Sequence, residues 1–174
     1  MSAARSTRDG RHRARVAALQ LLYLREVGGG SAAEVADAVA RYWGEHPAPP
    51  ERRRRATALF EGTVEAQARI DPLIEEAAEH RRLSRMAVVD RLAIRMGVFE
   101  LLRGETPPAV VLDEAIELVK AFGGDQSVRF VNGVLDAVRR RLDETGEAGG
   151  GRPDPASAGV VPPSGGPDTP PVDS

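Results

Sequence analysis

The chain has 174 residues, no cysteine and a formal net charge of −2. That length supports one domain plus a tail, and the missing cysteine excludes disulfide frameworks, Cys-ligated zinc, iron–sulfur clusters and thiol catalysis. No apolar run approaches the ~18–20 residues needed to span a bilayer, and the opening MSAARSTRDGRHRAR lacks the apolar stretch of a secretory signal, so no membrane contact and a cytoplasmic location are expected.

Apolar spacing predicts an all-α protein. A flexible basic segment is expected over 1–10. The first helix then runs from Arg11 to Val27, with Val16, Leu19, Leu22, Tyr23 and Val27 at three- and four-residue steps. Gly28-Gly29-Gly30 ends it. Ser31 with Glu34 has the spacing of a capping box and opens a second helix carrying Val35, Val39 and Trp43. His46-Pro47-Ala48-Pro49-Pro50 is a breaker. A third helix begins near Glu51 with Leu59, Phe60, Val64 and Ile70 on its apolar positions. Asp71-Pro72 reads as an N-cap with proline at the first helical position, so a fourth is expected to start there.

The fifth helix begins after Ser84 and runs to Arg103 with a wide apolar face. Pro107-Pro108 breaks again. The sixth spans Ala109 to Phe122 and stops at Gly123-Gly124, where a glycine C-cap is expected. The seventh runs from Asp125 to Leu142. Asn132-Gly133 falls inside it, where glycine costs about 1 kcal/mol relative to alanine, and a close helix–helix approach is the expected reason. Seven short helices with brief connections argue for a bundle-type domain over 11–144. Residues 145–174 are rich in proline and glycine and too poor in apolar surface to offset ordering entropy, so a disordered acidic tail is expected.

The small net charge conceals an asymmetry. Residues 1–25 hold six arginines and one aspartate, a net +5, whereas residues 143–174 hold six carboxylates and one arginine, a net −5. A basic end points to a polyanion. Arg11 and Arg15 share a helix face at i, i+4, with Arg13 projecting elsewhere. Such guanidinium groups suit a phosphate backbone. Arg52-Arg53-Arg54-Arg55 is a second basic run, read as a solvated helix start.

No catalytic constellation is visible. His12, His46 and His80 are dispersed and have no partner at metal-pair spacing. Gly28-Gly29-Gly30 lacks the Lys-Ser/Thr of a phosphate-binding loop. Glu114 and Glu117 cannot be paired as acid and base without geometry. The expectation is a protein that is not an enzyme, with no cofactor and no metal.

Four stretches carry a resemblance. Glu114-Ala115-Ile116-Glu117-Leu118-Val119-Lys120-Ala121-Phe122-Gly123, followed by Phe130-Val131-Asn132-Gly133-Val134-Leu135-Asp136, looks like the hallmark of the NusB family. Arg91 to Leu101 is similar to that family's central helix, and Arg11-His12-Arg13-Ala14-Arg15 leading to Ala18-Leu19-Gln20 and Tyr23 resembles its arginine-rich opening. The likeness covers about residues 8–142.

The resemblance implies two packed helical subdomains and a role as an RNA-binding adaptor in transcription antitermination. The implied partners are single-stranded boxA RNA, the ribosomal small-subunit protein NusE, and RNA polymerase with other Nus factors on ribosomal RNA operons. By the resemblance, Arg11, Arg13 and Arg15 contact RNA, joined by Tyr23, Phe122, Arg129 and Phe130. Phenylalanines there can stack on unpaired bases, while core packing remains the alternative for both. Tyr23 and Asp90 face NusE, the acidic Asp90 suiting a basic partner. His12 stands where an arginine is usual, and Gln126 where an acidic residue is common. A helical protein-interaction module, or a homodimer with a masked RNA surface, stays open as an alternative.

Overall fold

The computed structural model describes residues 2–79, 81–124 and 126–149. His80, Asp125 and the tail from residue 150 onward lie outside the described residues. Seven α-helices follow in order: α1 (Ser2–Gly28), α2 (Ala32–Glu45), α3 (Pro50–Glu65), α4 (Gln67–Ala77), α5 (Val88–Arg103), α6 (Pro108–Phe122) and α7 (Ser127–Thr145), with one 3₁₀ turn at Leu83–Arg85. There is no strand among the described residues. The helices form two packed groups: α1 lies against α3 and α2, and α4, α6 and α7 gather around α5.

Helix α5 is the axis of the fold. Every residue from Asp90 to Leu102 is buried. A helix buried on every side must be enclosed on every side, and α1, α3, α4, α6 and α7 enclose this one. Its buried arginines, and Glu100 near its end, are held by partners on other elements. Arg91 donates to the carbonyls of Leu83 and Met86 at 3.0 and 3.2 Å and to Glu26 at 2.6 Å. Arg95 grips Asp71 through Nε and Nη2 at 2.8 and 2.9 Å. Glu26 and Arg15 of α1 thus meet the beginning and the end of α5 respectively, which makes the two helices antiparallel.

Two glycines permit these close contacts. A Cβ on Gly62 would lie 2.1 Å from Phe99 Cζ, and one on Gly97 would lie 2.9 Å from Leu135 Cδ2. Gly133, where sequence suggested such an approach, has nothing within 4 Å of its would-be Cβ and is exposed. The close approach to α7 is therefore made from the α5 side, at Gly97.

The capping box forms as expected: Ser31 Oγ accepts from the Glu34 backbone N–H at 3.4 Å, and Glu34 accepts from the Ser31 N–H at 2.7 Å. Helix α1 begins at Ser2, not at Arg11. No proline interrupts residues 2–10, and Ala3, Ala4, Arg5 and Arg8 are good helix formers that outweigh Gly10.

The expected start at Asp71-Pro72 is also displaced. The chain bends at Ala66, and Pro72 lies inside α4. Asp71 does not cap a helix because its carboxylate is spent on Arg95. Gly123 follows α6 in an extended conformation (φ −97°, ψ −168°), whereas Gly104 and Gly146, after α5 and α7, take the left-handed form.

Candidate nucleic-acid interface

Helix α1 carries two faces. Arg13, Val16, Gln20, Tyr23 and Val27 recur at three- and four-residue steps and define one. Tyr23 is 44% exposed and Phe122 43%. Both line one groove of about 550 Å³, together with Gln20, Leu24, Arg41 and Val89. Tyr42 forms part of its wall and donates from its hydroxyl to Gln20 Oε1 at 2.6 Å. Burial pushes the Tyr42 hydroxyl above its ordinary pKa, so it stays a neutral donor. His46, also on the wall, stacks on Tyr42 with ring centroids 4.4 Å apart. The groove offers two open aromatic surfaces on a predominantly apolar floor, with Arg41 and Glu45 at i, i+4 on α2 adding charge.

Arg13 is exposed on the same face of α1 as Tyr23. Arg129 is exposed on α7. Phe130, beside it, is half-buried against the core, and the Arg81 guanidinium lies 5.2 Å from its ring centroid. That cation covers part of the ring and the core takes another part, so Phe130 offers less open surface than Tyr23 or Phe122.

The other face of α1 carries Arg11 and Arg15. They line a cleft of about 400 Å³ with Arg54, Arg55, Arg103, Glu51, Glu100, Glu105 and Thr106. Arg15 does not reach outward as the resemblance implied. It is 5% exposed, and it donates to Glu100 at 2.9 and 2.7 Å while lying 3.8 Å from Glu114. Burial by itself would lower the Arg15 pKa, but the hydrogen bond and charge of Glu100, with the charge of Glu114, raise it instead. His12 joins the network through Nδ1, 2.8 Å from Glu114 Oε2. His12 and Arg15 therefore fasten the arginine-rich opening to α5 and α6, and Arg11 and Arg13 are left exposed on either side.

Asp90 likewise departs from its expected place. It is 7% exposed, at the third position of α5, with Oδ1 buried and without a hydrogen-bond partner among the described residues. A Cβ on Gly123 would sit 3.3 Å from that oxygen, so Asp90 faces the α6–α7 connection inside the fold. It presents little surface to a partner protein. Its neighbour Val89 lines the Tyr23 groove in its stead. Gln126 is the cap residue of α7 and makes no side-chain capping bond.

Sequence reasoning did not pick out Arg41, Glu45 or Val89. The three- and four-residue steps of Ala38, Arg41, Tyr42 and Glu45 along α2 were the available signal, but which face α2 turns outward depends on α1. Among the described residues no group of three or more His, Asp or Glu is placed to hold a metal ion, and no helix is long and apolar enough to cross a membrane.

The model of the NusB family matches residues 12–140, from the arginine-rich opening to the last turns of α7. The chain belongs to the NusB family. The transcription antitermination protein NusB of Sorangium cellulosum (strain So ce56) is 47% identical over 129 residues, covering 74% of this chain and 90% of that protein. The fold matches that of NusB from T. maritima with a TM-score of 0.68 at 31% identity, over 75% of this chain and 90% of that one. It also matches a crystal structure of the antitermination factors NusB and NusE in complex with double-stranded RNA, with a TM-score of 0.67 at 28% identity, over 76% of this chain and 98% of that one. The NusB match leaves out the acidic tail.

Proposed function

We propose that this chain is a non-enzymatic RNA-binding adaptor of transcription antitermination, acting in the cytoplasm. It takes single-stranded boxA RNA together with NusE and joins RNA polymerase with other Nus factors on ribosomal RNA operons. The observation that carries the reading is the groove shared by Tyr23 and Phe122, with Arg13 on the same face of α1. Unpaired bases stack on exposed aromatic rings while arginines hold the phosphates. Arg11 and Arg129, both exposed, are the further RNA contacts that the resemblance implies. The relatives named as antitermination proteins, and the NusB–NusE complex with RNA, support the same assignment.

The test is fluorescence anisotropy with a boxA RNA and a scrambled control, with and without NusE. The expected result is a preference for boxA, tighter binding with NusE, and weakening by Arg13→Ala. Equal binding to both RNAs and indifference to NusE would overturn it.

A second reading, self-association through this face, draws on one observation. Leu24 and Val27, 41% and 60% exposed, continue the Tyr23 side of α1. A dimer that buried this stripe would mask Tyr23. Solution mass by light scattering, with and without RNA, separates the two: a dimer that RNA dissociates supports masking, and a monomer at all concentrations removes it.

A further inference from the structure

Arg11 and Arg13 are two residues apart, so on a helix they project to nearly opposite sides. Arg13 shares the Tyr23 face. Arg11 opens onto the separate cleft between α1, α3 and the end of α5, which shares no lining residue with the Tyr23 groove. We propose that this cleft is a second phosphate-binding site, which takes the RNA backbone beyond the bases held at the Tyr23–Phe122 groove. The proposal rests on the RNA-binding reading above and adds a second face to it.

The charges in the cleft fall into two tiers. At the floor, Arg15 and Glu100 are 6% and 8% exposed and locked together. They neutralise one another and shape the wall. At the rim the pairs are open to water. Arg54 and Arg55 share Glu51 at 2.7 and 3.1 Å, with 72%, 43% and 66% of those side chains exposed. Arg103 pairs with Glu105, again in the open. Exposed ion pairs are held weakly, so a phosphate can take over these guanidiniums at little cost. Arg11 has no ion-pair partner among the described residues and is free for a phosphate from the outset. The cleft holds five arginines and three glutamates, an excess of two positive charges. The arginine fork matches two phosphate oxygens at once.

Continuity argues for a polymer and not an isolated anion. A strand that contacts Arg13 and then Arg11 must wrap the exposed side of α1, and that route leads it into the cleft. Arg52-Arg53-Arg54-Arg55 then divides its labour. Arg53 stacks its guanidinium 5.5 Å from the Trp43 ring centroid, while Arg54 and Arg55 turn to the cleft. The Arg54 hydrogen bond, with that of Arg55, holds the Glu51 carboxyl below its ordinary range, so Glu51 stays charged and competes with a phosphate for both guanidiniums.

The experiment uses the full chain and two labelled RNAs, one carrying the recognition element alone and one extended by about twelve nucleotides, each titrated at two salt concentrations. Arg54→Gln/Arg55→Gln is expected to bind the long RNA roughly tenfold more weakly at low salt, with the log–log salt slope reduced by about 1.4, as two lost single-strand phosphate contacts require. The short RNA should change less than about twofold. Glu51→Gln should move the other way and tighten the long RNA roughly threefold, a gain that a damaged fold cannot imitate. The proposal is overturned if both variants bind the long RNA as the parent does, or if the double variant loses both RNAs equally while Glu51→Gln gains nothing. Loss of short-RNA binding in Tyr23→Ala under those results would leave the primary RNA face standing alone. A parent chain that binds neither RNA would remove both readings.

Discussion

Arg15 clasps Glu100 through two hydrogen bonds, Nε to Oε2 at 2.9 Å and Nη2 to Oε1 at 2.7 Å, with less than a tenth of either side chain exposed. The pair ties the arginine-rich opening of α1 to the end of the central helix, 85 residues away. Removing one partner leaves a buried charge unanswered, which costs about 3–5 kcal/mol. Arg15→Ala should therefore lower thermal stability steeply, whereas Arg11→Ala, on the surface, should leave the melting midpoint nearly unchanged. The paired replacement Arg15→Met/Glu100→Leu should recover most of the loss, since an apolar pair leaves no charge behind. Calorimetry on the four proteins checks this. A melting point for Arg15→Ala equal to that of Arg11→Ala would mean that the pair is ornamental.

The glycines of the helix contacts predict opposite signs. Gly62→Ala places a methyl within 2.1 Å of the Phe99 ring and should destabilise by about 1–3 kcal/mol through overpacking. Gly133→Ala meets nothing and sits in the exposed part of α7, so it should stabilise by up to about 1 kcal/mol through helix propensity. Urea titrations of both variants supply the test. Two changes of the same sign would contradict the packing described here.

Features with a local cause were legible in the sequence. The capping box at Ser31 and Glu34 and the breaks at Gly28–Gly30, Pro47–Pro50 and Pro107-Pro108 depend on residues within a turn of one another, and each lies where expected. Features settled by a remote partner were not. Asp71 reads as a cap until Arg95, 24 residues on, takes its carboxylate. Arg15 and Asp90 look like surface charges until Glu100 and the Gly123 connection enclose them. The family resemblance gave Tyr23 and Phe122, but their sharing of one groove is a property of how α1, α2, the start of α5 and the end of α6 come together around it.

Acid should loosen the start of α2 before the rest. The backbone hydrogen bond from Ser31, helped by the Ser31 hydroxyl, holds the Glu34 carboxyl below its ordinary range. A depressed folded value means that the contribution is fully present above the unfolded glutamate pKa, about 4.3, and is lost as pH falls through the folded value. Amide exchange at the first turn of α2 should therefore quicken relative to α5 as the pH drops below that range. Glu34→Gln, which keeps the shape without the titration, should flatten the difference. An unchanged pH profile in that variant would assign the effect to another group.

Tyr23 and Phe122 should separate affinity from stability. Both are more than two-fifths exposed, so Tyr23→Ala and Phe122→Ala should lower the melting point less than truncation of a core ring such as Phe60, which is 7% exposed. If each ring stacks on a base, each truncation should weaken RNA binding by about 1–3 kcal/mol. That loss should persist at high salt, because stacking releases no counterions, whereas the effect of Arg13→Ala should shrink as salt screens the phosphate contact. Phe130→Ala should behave in the opposite way, lowering stability because its ring packs on the core beneath Arg81. Its RNA affinity, measured where the variant remains folded, should match the parent. Binding loss in Phe130→Ala with unaltered stability would return that ring to the RNA path and require Arg81 to swing aside.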